Sequence, residues 1–229
     1  MNVLVLPPFN AAQKTVLEAG APGATFVYSD YHSATDEQIA AADVIVGNLS
    51  PKRLDKATHL QLLQLNSAGY DNYAAAETLP RGARVCCAVG AYGQAVSEHI
   101  FAMVLAMIKR LPAYHTDQLS HTWSDHGPVT SLRGARVLVM GTGDIGTAFA
   151  QRAKALGAAH IRGVHRTNKV LPRCFDESYA VEDLDFALAG ADIVVLCVPG
   201  TKETEHLITR ERLGLLKKTS VLINVGRGS

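Results

Sequence analysis

The chain has 229 residues, 48% of them hydrophobic and 19% charged, with a formal net charge of +1. This is enough for one large or two small globular domains, and a balanced charge without long Lys or Arg runs argues against a nucleic-acid surface. The longest apolar stretch, residues 100–108, is too short to span a bilayer, and the start lacks the basic segment of a signal peptide.

In chain order, apolar runs at 3–6, 25–28, 44–47, 62–65 and 84–88 predict short strands. Residues 11–20 and 35–43, lying between the first of them, have helical composition. Strands and helices alternating at this spacing predict a parallel, doubly wound sheet. A long helix is expected over 94–109. It is apolar on nearly every side and should be widely buried, in part against a second subunit. Pro112 should end it, and residues 115–134 read as a polar, irregular connection. A second α/β pattern begins at Arg136, with a strand at 136–140, a turn at 141–146 and a helix at 147–157. Strands follow at 160–165, 191–199 and 220–225, with a short one near 178–181. The expected organisation is two domains, 1–93 and 94–229. Cys86, Cys87, Cys174 and Cys197 lie in no metal-binding spacing and read as reduced thiols of a cytoplasmic protein.

The stretch VLVMGTGDIG carries the first chemistry. Gly141, Gly143 and Gly146 form G-x-G-x-x-G between a strand and a helix. The first glycine allows a tight turn, the second lets backbone approach a pyrophosphate, and the third lets helix and strand pack closely. With Asp144 and Ile145 between them, they are the expected cofactor contacts; a ligand-free structural turn is the alternative. An acid about 20 residues on commonly bonds the adenosine ribose. Here the second strand ends in His165, Arg166 and Thr167, with no carboxylate. Positive charge and donors suit a 2′-phosphate. The expected cofactor is NADP, with NAD as the alternative.

Five segments, occurring in the family's order, resemble the D-2-hydroxyacid dehydrogenases: LNSAGYDNY (65–73), AVSEHIFAMVLAMIKRL (95–111), LRGARVLVMGTGDIG (132–146), ADIVVLCVPGTKETEHLI (191–208) and VLINVGRGS (221–229). The resemblance covers nearly the whole chain. It implies a flavodoxin-like substrate domain followed by a Rossmann domain, and NAD(P)-dependent reduction of a small 2-keto acid. VHRT (164–167) is similar to the glyoxylate/hydroxypyruvate reductase branch, whose members mostly use NADPH. By the same resemblance the backbone of Ala68 and Gly69 holds the substrate carboxylate, and Arg227 is the catalytic arginine. Val198, Pro199 and Thr204 line the nicotinamide side.

The family's catalytic glutamate and histidine fall after the Arg-Gly segment, so neither is carried over. The expectation is a fragment, or a chain whose remainder was not recorded. Glu98 and His99 are neighbours on one helix and do not face each other, so they are expected to be structural. His115, His121 and His126 should be solvated or locally bonded, and Asp71 and Asn72 should form a turn. A cofactor-binding module of corepressor type, without chemistry, is the competing reading. A formate dehydrogenase is disfavoured because its distinctive N-terminal segments are not matched.

Overall fold

Val3, Leu4 and Val5 are buried on successive positions of the first strand, so this strand is covered on both faces, as parallel sheets require. The computed structural model describes residues 1–74, 79–166 and 170–228. The chain divides into two units, Met1–Ala91 and Tyr92–Ser229.

The first unit contains β1 (Asn2–Val5), α1 (Ala11–Ala19), β2 (Thr25–Tyr28), α2 (Asp36–Ala40), β3 (Val44–Val46), β4 (Leu62–Gln64), α3 (Asp71–Ala74) and β5 (Arg84–Cys86). All pairings are parallel, and the order β2-β1-β3-β4-β5 is the flavodoxin-like winding. Two helix starts are fixed by reciprocal capping boxes, Asn10 with Gln13 and Thr35 with Gln38. Each satisfies two backbone donors that would otherwise lack partners. Leu4, Leu6, Ile39, Ile45, Leu63 and Leu65 form the core. The expected strand at 84–88 is shorter than its apolar run, because β5 ends at Cys86.

The second unit contains α4 (Gly93–Ile108), α5 (Leu111–Leu119), β6 (Arg136–Met140), α6 (Asp144–Ala155), β7 (His160–Val164), β8 (Glu177–Tyr179), α7 (Leu184–Leu188), β9 (Ile193–Leu196), α8 (Arg210–Gly214) and β10 (Val221–Asn224). The sheet is parallel with the order β10-β9-β6-β7-β8. Counted from β6, this is the Rossmann order 3-2-1-4-5. The short strand foreseen near 178–181 is present as β8, one residue earlier and on the sheet edge.

One expectation about the long helix is corrected. Pro112 does not mark the start of irregular chain: it lies in the first turn of α5, where its missing N–H has no carbonyl to lose. The break is made by Arg110 in the left-handed region at φ 56°, and residues 115–119 are helical. The apolar content of α4 also serves its own unit. Ile100, Phe101, Val104 and Ile108 are buried, while Leu105 and Met107 face outward. Phe101 stacks on Phe149 of α6 at 4.6 Å between ring centroids, a contact that adds about 1 kcal/mol beyond area burial.

Asp192 ties three elements at the amino edge of this sheet. Its carboxylate accepts the Arg136 backbone N–H at 2.8 Å and the Lys217 ammonium at 2.6 Å. Partial burial pushes its pKa up, but the Arg136 amide and Lys217 outweigh this and hold it below the usual range. A carboxyl with a depressed folded pKa stabilises above its unfolded pKa, and that contribution is lost as pH falls through the folded value. Asp192→Asn is therefore expected to lower the melting temperature at pH 7, with the gap to the parent protein narrowing as pH falls below about 4. Melting curves between pH 3 and 7 check this; a constant gap would rule out the linkage.

Candidate functional site

Three strand ends build one edge. Gly141 N donates to Val164 O, Cys197 N to Met140 O and Val225 N to Leu196 O. These bonds carry the sheet one residue past β6, β9 and β10 and bring their carboxyl ends side by side. In open α/β sheets, ligands bind at this edge.

The glycine turn follows from close approach. Gly141 has φ +93°, and a Cβ there would lie 2.7 Å from the Cys197 carbonyl oxygen. A Cβ on Gly146 would lie 2.0 Å from the Gly141 carbonyl oxygen, so α6 rests directly on the turn. Gly143 is different, because a Cβ there would meet nothing within 4 Å. Gly143 is also the N-cap of α6, and no side chain caps the helix. The amides of Gly143, Asp144 and Ile145 thus begin a helix that no side chain caps, with open space beside Gly143, and the dipole there favours an anion. This arrangement fits a dinucleotide pyrophosphate. The Asp144 carboxylate packs toward Gly93 at the start of α4, and Ile145 packs on the core.

The second glycine cluster joins β9 to β10. A Cβ on Gly226 would lie 2.4 Å from the Val198 carbonyl oxygen, and one on Gly200 would lie 2.8 Å from Cγ of Arg227. The Arg227 stem therefore lies along the Gly200 backbone. Asn224 shapes the turn, accepting the Gly226 N–H at 2.9 Å and donating to the Arg227 carbonyl at 2.6 Å. Arg227 lies on the rim of a hollow of about 380 Å³ that Val198, Thr204 and Asn224 also line. Thr204 gives its hydroxyl hydrogen to the Pro199 carbonyl at 2.6 Å, and so forms the turn after β9.

At the end of β7, His165 Nε2 is 2.6 Å from Ser178 Oγ on β8, which fixes the imidazole across the sheet edge. Its Nδ1 is buried with no partner among the described residues. Arg166 is exposed. Its charge contributes to holding the Glu203 carboxyl below the usual range, after the larger effects of the Thr201 hydroxyl and Glu203's own amide. Thr167 lies outside the described residues.

In the first unit, the segment that carries Ala68 and Gly69 follows β4. Its backbone is pinned by Ala88 N donating to Ser67 O, by the Asn48 side chain, and by Tyr73, whose hydroxyl donates to Leu49 O at 2.9 Å. Asp71, expected in a turn, instead opens the short helix α3. Two of the other polar residues weighed from sequence have partners elsewhere in the second unit. Glu98 pairs with Arg152 of α6 at 3.6 Å. His126 bonds Asp117 at 2.8 Å and packs edge-on to Tyr114.

Sequence reasoning missed Asn48, Asn224, Gly200, Gly226 and Ser178. Gly226 sits inside the recognised NVGRG stretch, so its tight approach to Val198 had a signal. Asn48 had none, because its partners are about twenty residues away in sequence.

A Rossmann sheet with a glycine turn in the second unit, and a flavodoxin-like sheet in the first, define the class: a two-unit α/β protein. Residues 101–229 match the family described as D-isomer specific 2-hydroxyacid dehydrogenase, NAD binding domain. The chain belongs to that family. It is 33% identical over 207 residues to a glyoxylate reductase of Pyrococcus horikoshii, covering 84% of this chain and 60% of that protein. Among solved structures, a D-isomer specific 2-hydroxyacid dehydrogenase family protein of Aeromonas salmonicida superposes with a TM-score of 0.86 at 32% identity, covering 99% of this chain and 73% of that one. A family member from Xanthobacter autotrophicus, solved with NADPH and MES, gives a TM-score of 0.78 at 27% identity, covering 99% and 72%. The chain spans about three fifths of the length of the curated relatives it matches. Among the described residues, no helix is long and apolar enough to cross a membrane.

Proposed function

We propose that this protein reduces a small 2-keto acid of the glyoxylate or hydroxypyruvate kind with NADPH. The supporting observation is the continuity of one sheet edge. Gly141 lies against Cys197, Gly226 against Val198 and Arg227 against Gly200, so an anion seat and a guanidinium share a single backbone scaffold. The amides of Gly143, Asp144 and Ile145 take the pyrophosphate, with Gly141 and Gly146 holding the turn. Val198, Pro199 and Thr204 shape the nicotinamide side. When bound, the cofactor would supply hydride to C2 of the keto acid, and a proton from solvent would complete the hydroxyl. Arg227 orients the substrate through its planar fork and stabilises the negative charge that grows on the C2 oxygen. In the first unit, the backbone amides of Ala68 and Gly69 hold the substrate carboxylate.

NADP is preferred over NAD because β7 leads into His165, Arg166 and Thr167 rather than an acid. Arg166→Ala is expected to weaken NADPH binding about tenfold or more while changing NADH binding little, since a charge-assisted bond to the 2′-phosphate is lost. Fluorescence titration with both cofactors reads this directly, and equal losses would remove Arg166 from cofactor selection. The outward Leu105 and Met107 of α4, with exposed Leu111, Leu119 and Trp123 nearby in sequence, support a homodimer. Four free cysteines support a reducing, cytoplasmic setting.

The direct test follows NADPH and NADH absorbance with glyoxylate, hydroxypyruvate, pyruvate and longer keto acids. Turnover with NADPH is the expected result. NADPH binding without turnover of any keto acid would favour a cofactor-binding module.

A further inference from the structure

The segment presenting Ala68 and Gly69 has few hydrogen bonds of its own, and Asn48 supplies them. Asn48 follows Gly47, which is fixed by close packing. Gly47 has φ +121°, and a Cβ there would lie 2.9 Å from Leu6 Cβ and 3.0 Å from Pro7 Cδ. No other residue type fits there without moving the ends of β1 and β3, so Asn48 leaves the sheet edge at a fixed point.

Its amide orientation is determined by its partners. Oδ1 accepts the Asn66 backbone N–H at 3.0 Å, a donor that requires an oxygen. Nδ2 is then left to donate to Ser67 Oγ at 3.1 Å. Ser67 Oγ accepts that bond and gives its own hydrogen to the Gly69 carbonyl at 2.8 Å. The relay Asn48 to Ser67 to Gly69 fixes the Gly69 carbonyl. The amides of Ala68 and Gly69, by contrast, donate to no acceptor among the described residues. Two adjacent peptide N–H groups left without an acceptor are what an anion-binding nest needs.

We infer that Asn48 is a positioning residue for the substrate carboxylate, acting through Ser67 on the peptide that carries the Ala68 and Gly69 amides. This rests on the reductase reading, which assigns the carboxylate to those amides. Aspartate could not replace it, because the relay needs a donor at Nδ2 and an added carboxylate would repel the substrate anion.

Asn48→Ala is expected to raise KM for the keto acid about tenfold and to weaken competition by oxamate, a non-reducible mimic, in proportion. kcat should stay within about twofold, as expected for an interaction that binds ground and transition states alike. NADPH affinity should not change. Asn48→Asp should raise KM further. Ser67→Ala breaks the same relay, so adding Asn48→Ala to it should cost much less than the sum of the single effects. If the substitution merely loosens the fold, kcat and active-site concentration fall while KM and oxamate inhibition hold, and the inference is overturned. Additive effects of the two substitutions also overturn it. If the parent protein turns over no keto acid at all, the reductase reading falls first and this inference with it; turnover by the parent with an unchanged KM in Asn48→Ala sinks the inference alone.

Discussion

Arg227→Gln is expected to lower kcat/KM for the keto acid about a thousandfold, in the range seen when one charge-stabilising donor is removed from an active site. NADPH binding should remain within about twofold of the parent value, because the pyrophosphate seat depends on α6 and not on β10. The expectation follows from how the side chain is held. Its stem runs along the Gly200 backbone with no room for a Cβ between them. Its own carbonyl is held by Asn224 at 2.6 Å, so the backbone that launches it is fixed as well. Arg227→Lys should recover little, because an ammonium on a flexible stem cannot make two parallel bonds to a carboxylate and its neighbouring carbonyl. Stopped-flow single turnovers with NADPH and glyoxylate separate the chemical step from binding. A Gln variant with near-parental single-turnover rates would remove Arg227 from the chemistry.

The outline of both sheets was legible from sequence because apolar runs separated by helical composition admit few arrangements. The glycine turn was legible because each glycine answers a separate steric demand. What stayed hidden depends on three-dimensional neighbours. Pro112 reads as a helix stop along the chain, yet in the fold it sits in the first turn of α5 after Arg110 has broken α4. Nothing in the sequence says which side of a proline will be helical. The composition of α4 implied wide burial, and Phe101 and Val104 serve the core of its own unit while Leu105 and Met107 face outward. Composition reports how apolar a helix is and not which layer uses it. Asn48 and Ser178 are invisible for a further reason: polar residues become structural through partners set by strand register, such as Ser178 on β8 reaching His165.

The second large effect contrasts two glycines of one motif. Gly143→Ala should leave the melting temperature nearly unchanged. Its φ of −78° and ψ of −157° suit any residue, and the new methyl meets no protein atom within 4 Å. If, as proposed, that space is the approach of the pyrophosphate, NADPH binding should weaken on the order of a hundredfold. Gly146→Ala should act in the opposite way. Its Cβ would sit 2.0 Å from the Gly141 carbonyl oxygen and 2.9 Å from Val139 Cγ1. The first is backbone and the second belongs to a fully buried residue, so neither yields readily. Relieving the clash requires α6 to move off the sheet, at a cost of about 1–3 kcal/mol or more in stability. Because the displaced helix carries the anion seat, cofactor affinity should fall along with stability. Thermal denaturation and NADPH titration on the two variants separate these cases. If Gly143→Ala binds NADPH normally, the pyrophosphate does not rest on these amides. If Gly146→Ala melts like the parent, helix and turn are less closely packed than the 2.0 Å approach requires.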